Sequence, residues 1–101
     1  MKTVSISWVE PTTREDNTPL PVAEIAYTEV SLISGTTVTV LAQVKPNLAQ
    51  TINKSLADGT YSVRHVVVDI NGLRGKILDT GFVVKTVANP GGVTGVKVTV
   101  T

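Results

Sequence analysis

Residues 56–72 decide the fold of this chain. They read Leu56-Ala57-Asp58-Gly59-Thr60-Tyr61-Ser62-Val63-Arg64-His65-Val66-Val67-Val68-Asp69-Ile70-Asn71-Gly72. Asp58-Gly59 is a turn signal, because glycine adopts a positive φ without steric cost. The run that follows is rich in β-branched residues, which alternate between two faces of a strand. One face carries Tyr61, Val63, His65 and Val67, and the other carries Ser62, Arg64, Val66 and Val68. Because Asn71-Gly72 is a strong hairpin signal, we expect a long central strand that a tight turn ends.

The composition is typical of one all-β domain. The chain has 101 residues, of which 42% are hydrophobic and 17% charged, and apolar residues do not recur at helical spacing. It has no cysteine, so a disulfide framework is excluded. No apolar run is long enough to cross a bilayer, and no signal segment follows Met1. The net charge of +1 gives no electrostatic reason to expect nucleic acid or an anionic membrane as a partner.

Three groups of residues together resemble a fibronectin type III domain. They are Leu56 with the Asp58-Gly59-Thr60 turn, Tyr61 and Val63-Arg64; Trp8 on an early strand before Pro11; and the spacing of Val22, Ile25 and Tyr27 after a proline-containing loop. The resemblance covers residues 2–87. It implies an immunoglobulin-like sandwich of two antiparallel sheets with about seven or eight strands. It also implies that the Tyr61 hydroxyl donates a hydrogen bond to the backbone near Leu56.

The chain departs from this family at its two ends. The family has a strand before the tryptophan strand, and we expect residues 1–87 to lack it, since Met1 leaves no room for it. Residues 88–92 have the composition of a linker, and residues 93–101 alternate like a further strand, with Val96, Val98 and Val100 on one face. This strand is expected to supply the missing one. It could fold back in cis, or pair in trans with a neighbouring subunit.

No group of residues predicts catalysis, a metal or a cofactor. Trp8 lies in an alternating strand and is interpreted as a core residue rather than a sugar-stacking platform. The charges of residues 10–21 lack the regular spacing of a calcium loop and are interpreted as solvated. His65 is the one histidine, so it has no second ligand of its kind and no evident nucleophile. We expect either a buried, hydrogen-bonded neutral imidazole that faces inward or a ring that a bulge turns outward.

The candidate interface residues lie in three places. We expect Val66 and Val68 to lie near Val83 and Val87 on an outward face more apolar than a solvated sheet. Either another subunit covers this face, or it belongs to strands that are apolar on both sides, as is common in small sandwiches. Leu73 and Arg74 form a candidate contact pair at a loop tip, the alternative being a plain hairpin turn. The valines of the last strand complete the set: Val96, Val98 and Val100.

Three functions fit this sequence to different degrees, and none is enzymatic. The first is a virion component of a phage, such as a capsid decoration or tail accessory protein, which binds repeating protein subunits, its own or those of the capsid or tail, and leaves loops free to contact cell-surface carbohydrate. A homo-oligomer formed by strand exchange belongs to this hypothesis. The alternative is a spacer or adhesion module of a bacterial multi-domain surface or secreted protein. A carbohydrate-binding module is a weaker hypothesis, because aromatic residues make up 4% of the chain.

Overall fold

The computed structural model describes residues 1–46, 50–86 and 89–100. These residues form six β-strands and one turn of 3₁₀-helix. The strands are β1 (Lys2–Ser7), β2 (Ile25–Ser34), β3 (Thr37–Val44), β4 (Thr51–Leu56), β5 (Gly59–Asp69) and β6 (Leu78–Val84), and the 3₁₀ turn is Val22–Glu24. The prediction of seven or eight strands is therefore wrong by at least one in the described part of the chain. Of the three residues whose spacing resembles the family's strand, Ile25 and Tyr27 lie in β2, whereas Val22 lies in the 3₁₀ turn that follows Pro21.

The strands form two antiparallel sheets, which confirms the all-β prediction. β1 and β4 make a two-stranded sheet, and the other sheet has the order β3-β2-β5-β6. The long strand β5 lies in the middle of the larger sheet and pairs with β2 and β6. The expected central strand is thus observed, and it spans Gly59–Asp69, between the two predicted turn signals.

The core lies between the two sheets, because alternate side chains of each strand point to the same side. One cluster joins Ile6 of β1 to Val30 and Val63 of the larger sheet. A second joins Leu56 of β4 to Leu32 and Val84. The half-buried side chains that pack against both clusters are Val4, Leu41 and Phe82. Burial of apolar surface from both sheets is what holds the sheets together.

Tyr61 confirms a detail that the family resemblance implies. Its hydroxyl donates a hydrogen bond of 2.8 Å to the carbonyl oxygen of Ala57, one residue from the predicted Leu56. Its ring stacks on Phe82 of β6 with 5.7 Å between the ring centroids. The residue therefore ties the entry of β5 to the neighbouring strand.

The strand predicted over residues 93–101 does not form within the described residues of the chain. Residues 89–100 are extended but unpaired, and they lengthen the chain to 79 Å along one axis against 29 and 26 Å along the other two. We call residues 89–100 the tail. In the described ranges, no helix has the length and apolar character needed to cross a membrane.

Candidate functional site

Two of the predicted interface residues, Val66 and Val68, are buried within the chain. Only 3% and 4% of their surfaces are exposed. Glu29 lies opposite Val66 in the β2–β5 ladder, and Arg74 lies opposite Val68. Paired residues of a ladder project on the same face, so the 2.8 Å ion pair between Glu29 and Arg74 lies on the face of the two valines. The prediction of an exposed apolar face is therefore wrong at these positions, where charged side chains of the same chain share the surface.

The predicted loop pair is divided between solvent and the sheet. The side chain of Leu73 is 64% exposed, whereas Arg74 donates its hydrogen bond to Glu29. Gln43 donates a second hydrogen bond of 3.2 Å to the same carboxylate. The pKa of Glu29 is lowered mainly by the hydrogen bond from Arg74 and to a smaller extent by the one from Gln43, so the ion pair is maintained at neutral pH. A contact role for the two loop residues stays a prediction.

The turn after β5 is held by Asp69, a residue that the sequence did not single out. Its carboxylate accepts hydrogen bonds of 2.9 Å from the backbone N–H groups of Asn71 and Leu73. It also accepts one of 2.9 Å from the Arg14 guanidinium, which is the largest cause of the lowered pKa of Asp69. The loop that carries Arg14 is thus fastened to the sheet and is not merely solvated. Because the two partners are 55 residues apart, no local sequence signal connects them.

A polar cluster lies where β1 ends. The Glu10 carboxylate accepts a 2.9 Å hydrogen bond from Trp8 Nε1 and one of 2.7 Å from Thr28 Oγ1. The His65 ring lies 5.1 Å from the Trp8 ring, centroid to centroid, and its buried Nε2 has no hydrogen-bond partner in residues 1–46, 50–86 and 89–100. Burial lowers the pKa of His65, and Glu10 opposes this shift. The inward orientation of His65 is confirmed, but the hydrogen bond expected for its imidazole is not formed at Nε2 among the described residues. The interpretation of Glu10 as a solvated charge is wrong.

This cluster borders a cavity of about 380 Å³ whose lining includes Trp8, His65 and Lys76. A neutral imidazole could in principle exchange a proton there, but nucleophilic catalysis needs a hydroxyl or thiol in hydrogen-bond contact with the base. The described residues place no such group on Nε2. They also contain no group of three or more His, Asp or Glu side chains that could hold a metal ion.

The predicted β6 position, Val83, lies far along the sheet from Val66 and Val68. It is 61% exposed and lies opposite Thr60, six residues before Val66 on β5. The predicted proximity of Val83 to Val66 and Val68 is therefore wrong, because the antiparallel register places them at opposite ends of the sheet. Val87, the fourth member of that predicted group, lies outside the described residues.

A groove separates β1 from β6 along one side of the domain. Its volume is about 560 Å³, and it is lined by Lys2, Thr3, Val4, Phe82, Val83, Val84 and Lys85. β1 pairs on one side with β4, and β6 on one side with β5. Within the residues described, the other edge of each strand is unpaired. We call the groove and these two strand edges the open flank.

The tail carries the most exposed apolar side chains of the predicted set. Val96, Val98 and Val100 expose 77%, 83% and 90% of their surfaces. Exposed apolar side chains concentrated on one segment are characteristic of a surface that a partner covers. The structure thus brings an open strand edge and an unpaired, valine-rich segment into one molecule.

Searches against protein-family models, curated proteins and solved structures found no match to this chain. The geometry of the open flank and of the tail is therefore the basis for the functional assignment that follows.

Proposed function

We propose that this chain is a fibronectin type III-like sandwich that acts without catalysis, as a structural protein of a phage particle. In this role, as a capsid decoration protein or an accessory protein of the phage tail, it binds repeating protein subunits. The first subunits it binds are other copies of itself. The virion is its expected location. The observation that carries the proposal is the exposure of the three tail valines beside a domain with an unpaired strand edge.

Physical chemistry supports a binding role for these features. A free strand edge presents unpaired N–H and C=O groups, and a free apolar segment invites association with any such edge. Stable proteins that expose both a free strand edge and an apolar segment usually have a partner that covers these surfaces. A particle built from repeating subunits supplies one such partner for each copy of this chain. Among the described residues of the tail and the open flank, no group of side chains has the geometry of a catalytic site.

A second function has its own supporting observation. The tail leaves the domain in an extended form after Pro90 and two glycines, as a linker leading to a further domain would. In that case the chain is a spacer or adhesion module of a bacterial multi-domain surface or secreted protein. Its tail would then pair within the next domain and not with a separate subunit.

Light scattering of the full chain over a range of concentrations tests the first function. We expect a mass that is a multiple of 10.7 kDa and that rises with concentration. The double variant Val96→Lys/Val98→Lys should be monomeric, whereas the matched variant Lys97→Gln/Thr99→Lys, changed on the opposite face of the tail, should still associate. A full chain that stays monomeric throughout would reject self-assembly and favour the spacer function.

A further inference from the structure

The two-stranded sheet is incomplete as a structural unit. An isolated pair of strands is only marginally stable, and a third strand adds the paired backbone and buried surface that stabilise a sheet. In the described ranges, no strand pairs with the outer edge of β1. The groove beside that edge is lined by Val4, Phe82 and Val84. A strand added to β1 would complete a three-stranded sheet and place its inward side chains in this apolar groove.

The tail has the sequence of such a strand. Gly95 has a φ of +66°, a left-handed conformation that separates the preceding linker from the residues after it. Val96–Val100 then alternates between valine on one face and Lys97 or Thr99 on the other. Five extended residues span about 17 Å, close to the length of the six-residue β1. One face of this segment therefore suits the groove, and the other suits solvent.

The register of the strands decides where this segment can come from. Lys2 at the start of β1 pairs with Leu56, and Val84 at the end of β6 pairs with Gly59. Leu56 and Gly59 flank the same short turn, so the start of β1 and the end of β6 lie at the same end of the domain. Asp58 of this turn accepts a 2.8 Å hydrogen bond from the Thr86 backbone N–H, which fixes the point where the chain leaves.

An antiparallel partner of β1 must run toward this end of the domain, whereas the tail departs from it. A chain's own tail would have to pass along the whole of β1 and then reverse before it could pair in that direction. The tail of a second copy can enter from the opposite end without reversing. Antiparallel pairing is also slightly more stable per residue than parallel pairing.

We propose that β1 of one copy receives Val96–Val100 of a second copy as an antiparallel strand, with Val96, Val98 and Val100 in the groove of the open flank. This inference rests on the proposed function and names its mode of assembly. Because the donor tail and the acceptor edge are different surfaces, the contact is heterologous. Repeated contacts of this kind form a closed ring or an open filament.

Disulfide cross-linking between two differently labelled copies tests the pairing, since the natural chain has no cysteine. One copy carries Lys97→Cys or Thr99→Cys in the tail, and the other carries Thr3→Cys, Ser5→Cys or Ser7→Cys on the solvent side of β1. Outward-facing residues directly opposite each other across two strands are close enough for a disulfide. After mixing and oxidation, mass spectrometry measures the mixed dimer. The control acceptor is Thr39→Cys on the exposed edge strand β3.

We expect mixed dimers when the acceptor cysteine is on β1 and no mixed dimers when it is at position 39. Moving the tail cysteine from position 97 to 99 should move the best acceptor two residues toward Thr3, whatever the register. A move toward Ser7 would indicate parallel pairing and overturn the proposal, as would cross-links that form only within a chain carrying both cysteines. An oligomer by light scattering without any β1 cross-link would reject this pairing and leave the proposed function standing. A monomeric full chain would reject both the pairing and self-assembly and favour the spacer function.

Discussion

At the scale of single residues, His65 is the side chain whose ionisation matters most for the core. Its ring packs against Trp8, and its buried Nε2 finds no partner among the described residues. The protonated form would place a charge in this environment, which is why burial lowers the pKa of His65 below its ordinary value of 6.5. The unfolded chain therefore binds a proton at a higher pH than the folded chain does.

This difference predicts a loss of stability at mildly acidic pH. The stabilising effect of the neutral imidazole is fully present above pH 6.5, and it is lost as the pH falls from that value toward the lower pKa of the folded state. Chemical denaturation at pH 7.5 and pH 5.5 should show a smaller free energy of unfolding at the lower pH. His65→Val should remove most of this difference. If His65→Val had the same pH dependence as the natural chain, His65 would not be its origin.

Glu10 makes a second residue-scale prediction, because it joins the end of β1 to β2. Glu10→Ala leaves the Trp8 indole N–H and the hydroxyl of Thr28 without their acceptor, and Thr28 is only 1% exposed. An unsatisfied buried donor costs about 1–3 kcal/mol, so we expect a loss of this size in the free energy of unfolding. Glu15→Ala, an exposed carboxylate of the same loop, is the matched control and should change stability by less than about 0.5 kcal/mol. Equal effects of the two variants would contradict the assigned role of Glu10.

At the scale of the elements, the strands were largely predictable and their neighbours were not. The alternation of β5 and the turn signals around it depend on local chemistry, so the sequence shows them directly. The ion pair that lies on the face of Val66 and Val68 joins Glu29 to Arg74, which are 45 residues apart. The pairing register, which separates Val83 from these valines, is likewise non-local. Single-strand patterns carry neither kind of information.

The turn between β5 and β6 gives a prediction for one element. Gly72 has a φ of +81°, a conformation that costs an L-residue with a side chain about 1–2 kcal/mol. Gly72→Ala should lower the free energy of unfolding by about this amount, measured by urea denaturation. Gly91→Ala in the tail is the control, because an added Cβ there has nothing within 4 Å and the backbone has no positive φ. Destabilisation by Gly91→Ala as large as that by Gly72→Ala would show that the turn conformation is not the cause.

At the scale of the whole molecule, the two sheets differ in size within the described residues, with four strands in the larger sheet and two in the smaller. Salt bridges on the larger sheet join Arg64 to Asp79 and Arg74 to Glu29. In the described part of the chain, the smaller sheet consists of β1 and β4, and the open flank lies beside β1. The sequence predicted the valine-rich strand that could complete it but left open whether that strand pairs in cis or in trans. The direction of the tail supports pairing between copies, because an antiparallel partner of β1 runs toward the end of the domain from which the tail departs. This direction follows from the strand register, which no single-strand pattern reveals.

Hydrogen–deuterium exchange of β1, followed by peptide mass spectrometry, is the most direct measurement of the central claim. The backbone N–H groups of β1 that face the open flank should exchange more slowly as the concentration of the full chain rises, because the tail of another copy hydrogen-bonds to them. In the Val96→Lys/Val98→Lys variant, exchange in Lys2–Ser7 should be faster and independent of concentration. If β1 exchanged at the same rate in both proteins at every concentration, the tail would not be the strand that completes the sheet.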